Sequence, residues 1–282
     1  MLTQMKPLLT FNFKSTKPTT AQGCQILPNR LSPVNVDTYK GPSHLNHLLI
    51  HSGYSCIPWK PSAINFGSQT RLMLSSYIKL LNKTNAEQIL IHMPKNREQY
   101  DNFKIGLALL YKVNKIINEQ RQTNQIPYIC VEIVYNTMYA HQTKDEIIKS
   151  INALFVIVVR SGLDIVIDTA HCYANGLNVD DMIALLKRFQ GHYKYIHLNG
   201  NYQDSFKPDK HTLIMTEGEG EADDVEPNKI NDCDKLLKFI STLKDVVLVC
   251  EIVYDNYDYW HSLANKYDFD IITEDEFKNG VV

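Results

Sequence analysis

The chain has 282 residues, 44% of them hydrophobic, which is enough for one large domain with a full core across residues 1–282. It contains no run of about 18 apolar residues, so the sequence excludes a membrane-spanning helix and we expect no membrane partner. The formal net charge of −2 argues against a generic nucleic-acid binder, but bound divalent cations would reverse this sign within a cleft.

The cysteines and the first residues bear on the cellular compartment. The six cysteines form no CxxC pair and several lie in apolar segments, which favours reduced thiols packed in a core. The first six residues lack the basic stretch, apolar core and cleavage site of a signal peptide. We therefore expect a soluble intracellular monomer, cytoplasmic or nuclear. The frequent Asn, Ile, Lys and Tyr suit an AT-rich bacterium or a large DNA virus.

The order of strand-like and helical segments predicts the fold. Two strand-like segments, Leu8–Phe13 and Cys24–Leu27, lie in the first 43 residues, and the connections after them lack helical periodicity. From residue 44 onward, six more strand-like runs alternate with helical patterns over 69–82, 103–117, 143–158, 182–189, 236–243 and 260–267. Thr143 and Glu146 predict a capping box at the start of the third helix. Eight strands with crossovers predict a parallel (β/α)8 TIM barrel whose first two crossovers are irregular.

Each of the six later strand runs ends in a residue that can bind a metal ion. These residues are His51, His92, Glu132, Asp168, His197 and Glu251. Because a parallel barrel carries its chemistry at the carboxyl ends of its strands, all six side chains should meet at one mouth. Three histidines and three carboxylates at one mouth predict a metal site, and one for more than one ion.

Two short motifs add candidate ligands. His171 follows Asp168 by three residues at a strand end, where the alternative is a helix-capping Asp beside a surface His. In the segment Asp209-Lys210-His211, the two outer side chains alternate onto the same face of an extended chain and can bind one ion. The alternative for this second motif is a solvated polar loop.

Two acidic residues and two histidines need separate interpretation. Glu132 and Glu251 lie in otherwise apolar strands, and a lone buried carboxylate costs several kcal/mol unless it is paired or ligating. This strengthens the prediction of a metal site. His44 and His47 precede His51 at helical spacing, but the apolar run 48–50 is a strand, so we assign both to the surface.

With these motifs the sequence resembles the endonuclease IV family of apurinic/apyrimidinic (AP) endonucleases, over about residues 44–255. The resemblance rests on Asp-Thr-Ala-His at 168–171 followed by Ala-Asn-Gly, His-Leu-Asn at 197–199, Asp-Lys-His at 209–211, and the two strand-end glutamates. The family builds a trinuclear zinc site from nine side chains. All nine residue types occur here in chain order: His51, His92, Glu132, Asp168, His171, His197, Asp209, His211 and Glu251.

The resemblance implies three Zn²⁺ per chain, with Mn²⁺ as an alternative at one position. It implies that one ion is held by His51, His92 and Glu132. It implies that Glu132 bridges to a second ion, held also by Asp168, His197 and Glu251. It implies that the third ion is held by His171, Asp209 and His211.

The activity implied by the resemblance is hydrolysis of the phosphodiester 5′ to an abasic site in double-stranded DNA, which leaves a 3′-hydroxyl and a 5′-deoxyribose phosphate in base excision repair. A 3′-phosphodiesterase activity is a candidate second reaction. Glu132 and Glu251 are the catalytic candidates, because either carboxylate could orient the attacking water. Tyr54 fits the place of a family aromatic residue that helps to hold the opened DNA. The chain departs from the family at Ser55, where an apolar wedge is usual, and in its short N-terminal region.

Two other functions remain open from the residues. A sugar isomerase or epimerase of the same barrel superfamily uses one metal ion, and Glu132, Asp168, His197 and Glu251 would satisfy its needs. Five further candidate ligands have no use in such an enzyme, which favours the endonuclease. The other alternative is a non-catalytic protein that binds damaged DNA, but none of the nine ligand types has been lost here.

Overall fold

The computed structural model describes residues 5–13, 23–26, 47–52, 56–59, 68–84, 86–121, 127–208, 210–214, 228–252 and 257–280. The strands, in chain order, are β1 (Leu8–Phe13), β2 (Gly23–Ile26), β3 (His47–His51), β4 (Gln88–His92), β5 (Ile129–Glu132), β6 (Asp164–Asp168), β7 (Tyr195–His197), β8 (Gly200–Asn201), β9 (His211–Thr212), β10 (Val247–Cys250) and β11 (Asp270–Ile271). Strands β1–β7 and β10 pair in parallel in chain order, and β10 pairs with β1. This closed barrel of eight parallel strands is the predicted fold.

The crossovers carry the helices α1 (Ser68–Thr84), α2 (Arg97–Asp101), α3 (Phe103–Arg121), α4 (Lys144–Arg160), α5 (Thr169–Ala174), α6 (Val179–Arg188), α7 (Cys233–Ile240), α8 (Tyr257–Tyr267) and α9 (Glu274–Gly280). The six predicted helices are confirmed as α1, α3, α4, α6, α7 and α8. The capping box of Thr143 and Glu146 at the start of α4 is also confirmed. The first two crossovers, which we expected to be irregular, lie outside the described residues. Among the helices of the described ranges, none is long and apolar enough to cross a membrane.

The barrel strands are buried on both faces. Because side chains alternate along a strand, one set points into the barrel and the other set faces the helices. The interior set forms a compact cluster of Leu49, Leu90, Cys130, Val166, Tyr195, Val247 and Val249. The outward-facing neighbours, such as Leu48 and Ile50 of β3, pack in a larger core with the helices. All six cysteines are free and buried, as expected for reduced thiols in a core.

A polar cluster lies where the barrel strands begin. His47, which we expected at the surface, begins β3 with its side chain only 13% exposed, and its Nδ1 is 3.4 Å from Glu87 Oε2. Glu87 also accepts a hydrogen bond of 2.7 Å from the Tyr195 hydroxyl and pairs with Lys194. The surface assignment of His47 was therefore wrong, because the strand begins at His47 itself and carries this side chain into the barrel end. His44 lies outside the described residues.

Candidate metal centre

The six strand-end candidates point into the barrel because of strand alternation. Six residues of the interior cluster each lie two positions before a candidate ligand: Leu49, Leu90, Cys130, Val166, Tyr195 and Val249. Side chains two residues apart on a strand share a face, so each candidate also points inward, one layer nearer the carboxyl ends. The structure accordingly brings together His51, His92, Glu132, Asp168, His197 and Glu251.

The first group of side chains is His51, His92 and Glu132, whose ligand atoms lie within 4.8 Å of one another. Glu132 Oε2 is 3.3 Å from His92 Nε2 and 3.8 Å from His51 Nε2. The other ring nitrogen of His51, Nδ1, lies 2.9 Å from the carbonyl oxygen of Ser52. This backbone contact orients the His51 ring so that Nε2 faces the carboxylates.

The second group adds Asp168, His197 and Glu251 to Glu132 at the centre of the mouth. His197 Nδ1 is 2.8 Å from Glu132 Oε1, 3.6 Å from Asp168 Oδ2 and 3.7 Å from Glu251 Oε2. Three carboxylates thus surround one imidazole nitrogen. His51 belongs to this centre as well, because its Nε2 is 3.6 Å from Glu251 Oε1.

The third group combines Asp168, His171 and His211. Asp168 Oδ1 accepts a hydrogen bond of 2.9 Å from the backbone N–H of His171, so Asp168 caps α5 as the alternative interpretation expected. Its Oδ2 nevertheless remains directed at the cluster, 3.9 Å from His211 Nε2. His211 begins β9, and the antiparallel pairing of β9 with β8 returns it to the mouth. Glu132 and Asp168 are each shared by two groups.

Two predicted site residues lie outside the described residues. These are Asp209, the ninth candidate ligand, and Tyr54, the candidate DNA contact. The other eight candidate ligands are all part of the three groups, which we call the mouth cluster.

Burial and the neighbouring charges shift the pKa values of the mouth cluster in opposite directions. Burial lowers the pKa of His92 well below its ordinary value and also lowers the pKa of His51, although carboxylates oppose both shifts. Burial would also lower the pKa of His197, but Glu251 and Glu132 raise it well above the ordinary value. Burial disfavours ionised Glu251, yet His197 and the neighbouring imidazoles hold its pKa well below the usual range. Without a metal ion, the carboxylates and a protonated His197 therefore stabilise one another, and a bound cation would replace the proton on the imidazole.

The dimensions of the mouth cluster fit zinc. Tetrahedral zinc with bonds of about 2.0–2.2 Å holds its ligand atoms about 3.3–3.6 Å apart. The closest nitrogen–oxygen pairs in the cluster are 3.3–3.9 Å apart, except for the 2.8 Å hydrogen bond between His197 and Glu132, and all ligand atoms of a group lie within 4.8 Å of one another. Glu132 Oε2 is buried and accepts no hydrogen bond from the described residues, although two imidazole nitrogens face it. Such an oxygen is costly to bury, and a cation between it and the imidazoles would satisfy it.

Among the described side chains of the cluster, those of Glu251 and His211 are the most exposed. The Glu251 and His211 side chains are 13% and 15% exposed, whereas those of Glu132, Asp168 and His197 are at most 1% exposed. A substrate would therefore approach over Glu251 and His211.

Sequence reasoning missed three amides that support the cluster. Asn199 Nδ2 donates to Asp168 Oδ2 at 2.8 Å and to Glu251 Oε2 at 3.2 Å. Gln25 of β2 contacts both Glu251 and His197, and Asn12 of β1 contacts Gln25. The available signal was a polar amide within a short apolar strand for Asn12 and Gln25, and shortly after one for Asn199, at inward-facing positions that strand alternation defines.

Solved structures of several proteins share the barrel. Endonuclease IV from Thermus thermophilus matches with a TM-score of 0.57 and 16% identity, covering 92% of this chain and 100% of that chain. A D-tagatose 3-epimerase-like protein matches with a TM-score of 0.55 and 17% identity, covering 87% and 88%. A xylose isomerase domain protein from Planctomyces limnophilus matches with a TM-score of 0.55 and 9% identity, covering 95% and 99%. Neither a protein-family model nor a curated protein sequence matches the chain. At these identities the likeness shows the fold.

Proposed function

We propose that this chain is a zinc-dependent DNA-repair endonuclease that hydrolyses the phosphodiester 5′ to an abasic site in duplex DNA. The observation that carries the proposal is the overlap of three groups of imidazoles and carboxylates at one barrel mouth, two of them sharing Glu132 and two sharing Asp168. A phosphodiester transition state spreads negative charge over several oxygens, which adjacent cations can stabilise together. An enzyme with one metal ion would need only one of these groups.

Three ions would be held by the mouth cluster together with Asp209. His51, His92 and Glu132 would hold one, Glu132 with Asp168, His197 and Glu251 a second, and His171 and His211 with Asp209 a third. Bound zinc supplies Lewis-acid chemistry, because it lowers the pKa of coordinated water and neutralises charge on phosphate oxygens.

The carboxylates of the chain have distinct tasks in this proposal. Glu251 lies at the more exposed side of the mouth cluster, where it can orient the attacking water and accept its proton. Glu132 is buried between two groups, and its carboxylate oxygens fix the positions of the His92 and His197 rings. Attack at phosphorus breaks the bond to the 3′-oxygen, which leaves with the electron pair of that bond and takes up a proton from solvent, so the products are a 3′-hydroxyl and a 5′-deoxyribose phosphate.

The proposed DNA substrate suits a recessed site. The side chains of Glu251 and His211 are at most 15% exposed and those of Glu132, Asp168 and His197 at most 1%, so a nucleotide within a duplex would have to leave the helix to reach them. An abasic nucleotide has no base to unstack, which makes this step inexpensive and selects for damage. Tyr54 follows His51 closely in the chain and is our candidate for holding the displaced strand.

The test is cleavage of an end-labelled duplex with one tetrahydrofuran abasic analogue, before and after chelation and after restoration of zinc. This analogue cannot undergo β-elimination, so a lyase cannot imitate the product. We expect zinc-dependent cleavage that leaves an extendable 3′-hydroxyl. Glu251→Gln should reduce the rate by at least about 100-fold, as expected for loss of a general base.

Glu87→Gln is the matched control for this experiment. The Glu87 side chain is 15% exposed, much like that of Glu251, but it lies at the opposite end of the barrel. The control should cleave at the wild-type rate. Absence of cleavage by wild-type protein that carries three metal ions would refute the proposed substrate. Other phosphoesters would then be the substrates to test.

A single-metal sugar isomerase or epimerase is the second candidate. It is favoured by the central group, in which Glu132, Asp168, His197 and Glu251 surround one position. This function predicts one metal ion per chain and isomerisation of a ketose such as D-tagatose or of an aldose such as xylose. Metal analysis that finds three ions per chain, with no isomerisation of either sugar, would exclude it.

A further inference from the structure

The two ring nitrogens of His197 face different partners. Nδ1 is surrounded by the carboxylates of Glu132, Asp168 and Glu251, at 2.8–3.7 Å. Nε2 lies 2.8 Å from Gln25 Oε1 on the other side of the ring. Because His197 and Gln25 are both fully buried, water cannot take over this second contact.

A chain of hydrogen bonds fixes which way the Gln25 amide points. Asn12 Nδ2 lies 3.3 Å from the carbonyl oxygen of Glu251, which can only accept, so the Asn12 oxygen faces Gln25. Gln25 Nε2 then donates to Asn12 Oδ1 and to Glu251 Oε1, both at 2.9 Å. The Gln25 oxygen is left for His197, so Nε2 of His197 must carry a hydrogen. Without a metal ion, the 2.8 Å hydrogen bond to Glu132 places a hydrogen on Nδ1 as well; a metal ion at Nδ1 would replace that hydrogen, and Gln25 would keep the other one on Nε2.

We propose that Gln25 is a positioning residue of the metal centre, which keeps Nδ1 of His197 as the metal-binding nitrogen and orients the Glu251 carboxylate. It joins β2 to side chains of β7 and of the segment after β10, three elements that meet only in the closed barrel. A histidine that binds a metal commonly donates its other N–H to a fixed acceptor, and loss of that acceptor weakens metal binding. The proposal rests on the zinc centre of the proposed function.

The test is zinc affinity, measured by competition with a chromophoric chelator in the full-length protein. Gln25→Leu should weaken zinc binding by about 10–100-fold, the range typical for loss of a partner behind a metal-binding histidine. Gln88→Leu is the matched control, because Gln88 is an equally buried glutamine of a barrel strand that donates to Asp164 at the opposite barrel end. The control should retain wild-type zinc affinity even where it lowers stability.

Nitrogen-15 NMR of the His197 ring in the zinc-loaded protein provides a readout that a purely structural role would leave unchanged. Wild type and Gln25→Glu should both keep the hydrogen on Nε2, because a carboxylate oxygen accepts it as the amide oxygen does. Gln25→Leu should lose this fixed tautomer. Wild-type zinc affinity together with a wild-type tautomer in Gln25→Leu would overturn the proposal.

Neither measurement uses DNA, so the two proposals fail in different ways. If the wild-type protein binds zinc through Nδ1 of His197 but leaves abasic DNA intact, the nuclease function fails and the role of Gln25 stands. If the wild-type protein takes up no zinc, the role of Gln25 is overturned together with the metal centre.

Discussion

Asp164→Asn should stabilise the protein at neutral pH. Asp164 begins β6, is buried, and accepts a hydrogen bond of 2.6 Å from Gln88 Nε2. Burial raises the pKa of Asp164 from 3.8 to about 6, although Gln88, His192 and Lys194 oppose the shift. An asparagine keeps an oxygen that can accept from Gln88 and removes the charge that burial disfavours.

The sign and size of the effect follow from proton linkage. Between pH 3.8 and about pH 6, the folded state retains a proton on Asp164 that the unfolded state has lost. Its contribution to stability is therefore fully present below pH 3.8 and is lost as the pH rises through about 6. The difference between a pKa of 3.8 and one of about 6 corresponds to at most about 3 kcal/mol of unfolding free energy.

The assay is urea unfolding of wild type and Asp164→Asn from pH 4 to pH 8, followed by fluorescence of the buried Trp59 and Trp260. The difference between the two proteins isolates Asp164, because the mouth cluster lies about 13 Å away at the other end of β6 and titrates equally in both. The variant should gain stability relative to wild type as the pH rises from 4 to 6. A constant difference, or a variant less stable at pH 8, would refute a raised pKa at this position.

Three further outcomes are expected. Gly176→Ala should lower the unfolding free energy more than Gly191→Ala. Both glycines have positive φ (87° and 85°), so an alanine at either position costs about 1–2 kcal/mol of backbone strain. Only at Gly176 would the added methyl group also clash with the Phe206 ring. Equal losses in urea titrations would contradict this packing. Thr143→Ala should cost about 1 kcal/mol by the same measurement, because it removes the hydroxyl oxygen that accepts from the backbone N–H of Glu146. An unchanged midpoint would show that this side-chain cap contributes nothing. Zinc binding should release protons and weaken toward acid pH, because protonated imidazoles cannot bind a metal ion. Calorimetry in buffers of different ionisation enthalpy measures the released protons. Zinc binding that does not depend on pH would argue against histidine ligands.

The sequence predicted the barrel because local patterns carry that information. Apolar strands separated by helical periodicity specify parallel strands with crossovers, and this required no knowledge of distant contacts. The same patterns predicted that candidate ligands such as His51 and Glu132 share one mouth, because the carboxyl ends of all strands of a parallel barrel lie on the same side. Residue type and strand position predicted six of the candidate ligands, and two short motifs added His171 and His211, which the structure places beside them.

Tertiary structure alone decided how the site is held. Gln25 and His197 are separated by 172 positions in the chain, and their hydrogen bond exists only because the barrel closes. The same closure determines which nitrogen of His197 faces the carboxylates and which carboxylate oxygen of Asp168 caps a helix. It also places His47 in a partly buried cluster with Glu87, although its neighbours in sequence suggested the surface. Local periodicity defines the face on which a side chain lies, whereas its hydrogen-bond partners depend on distant strands brought together by packing.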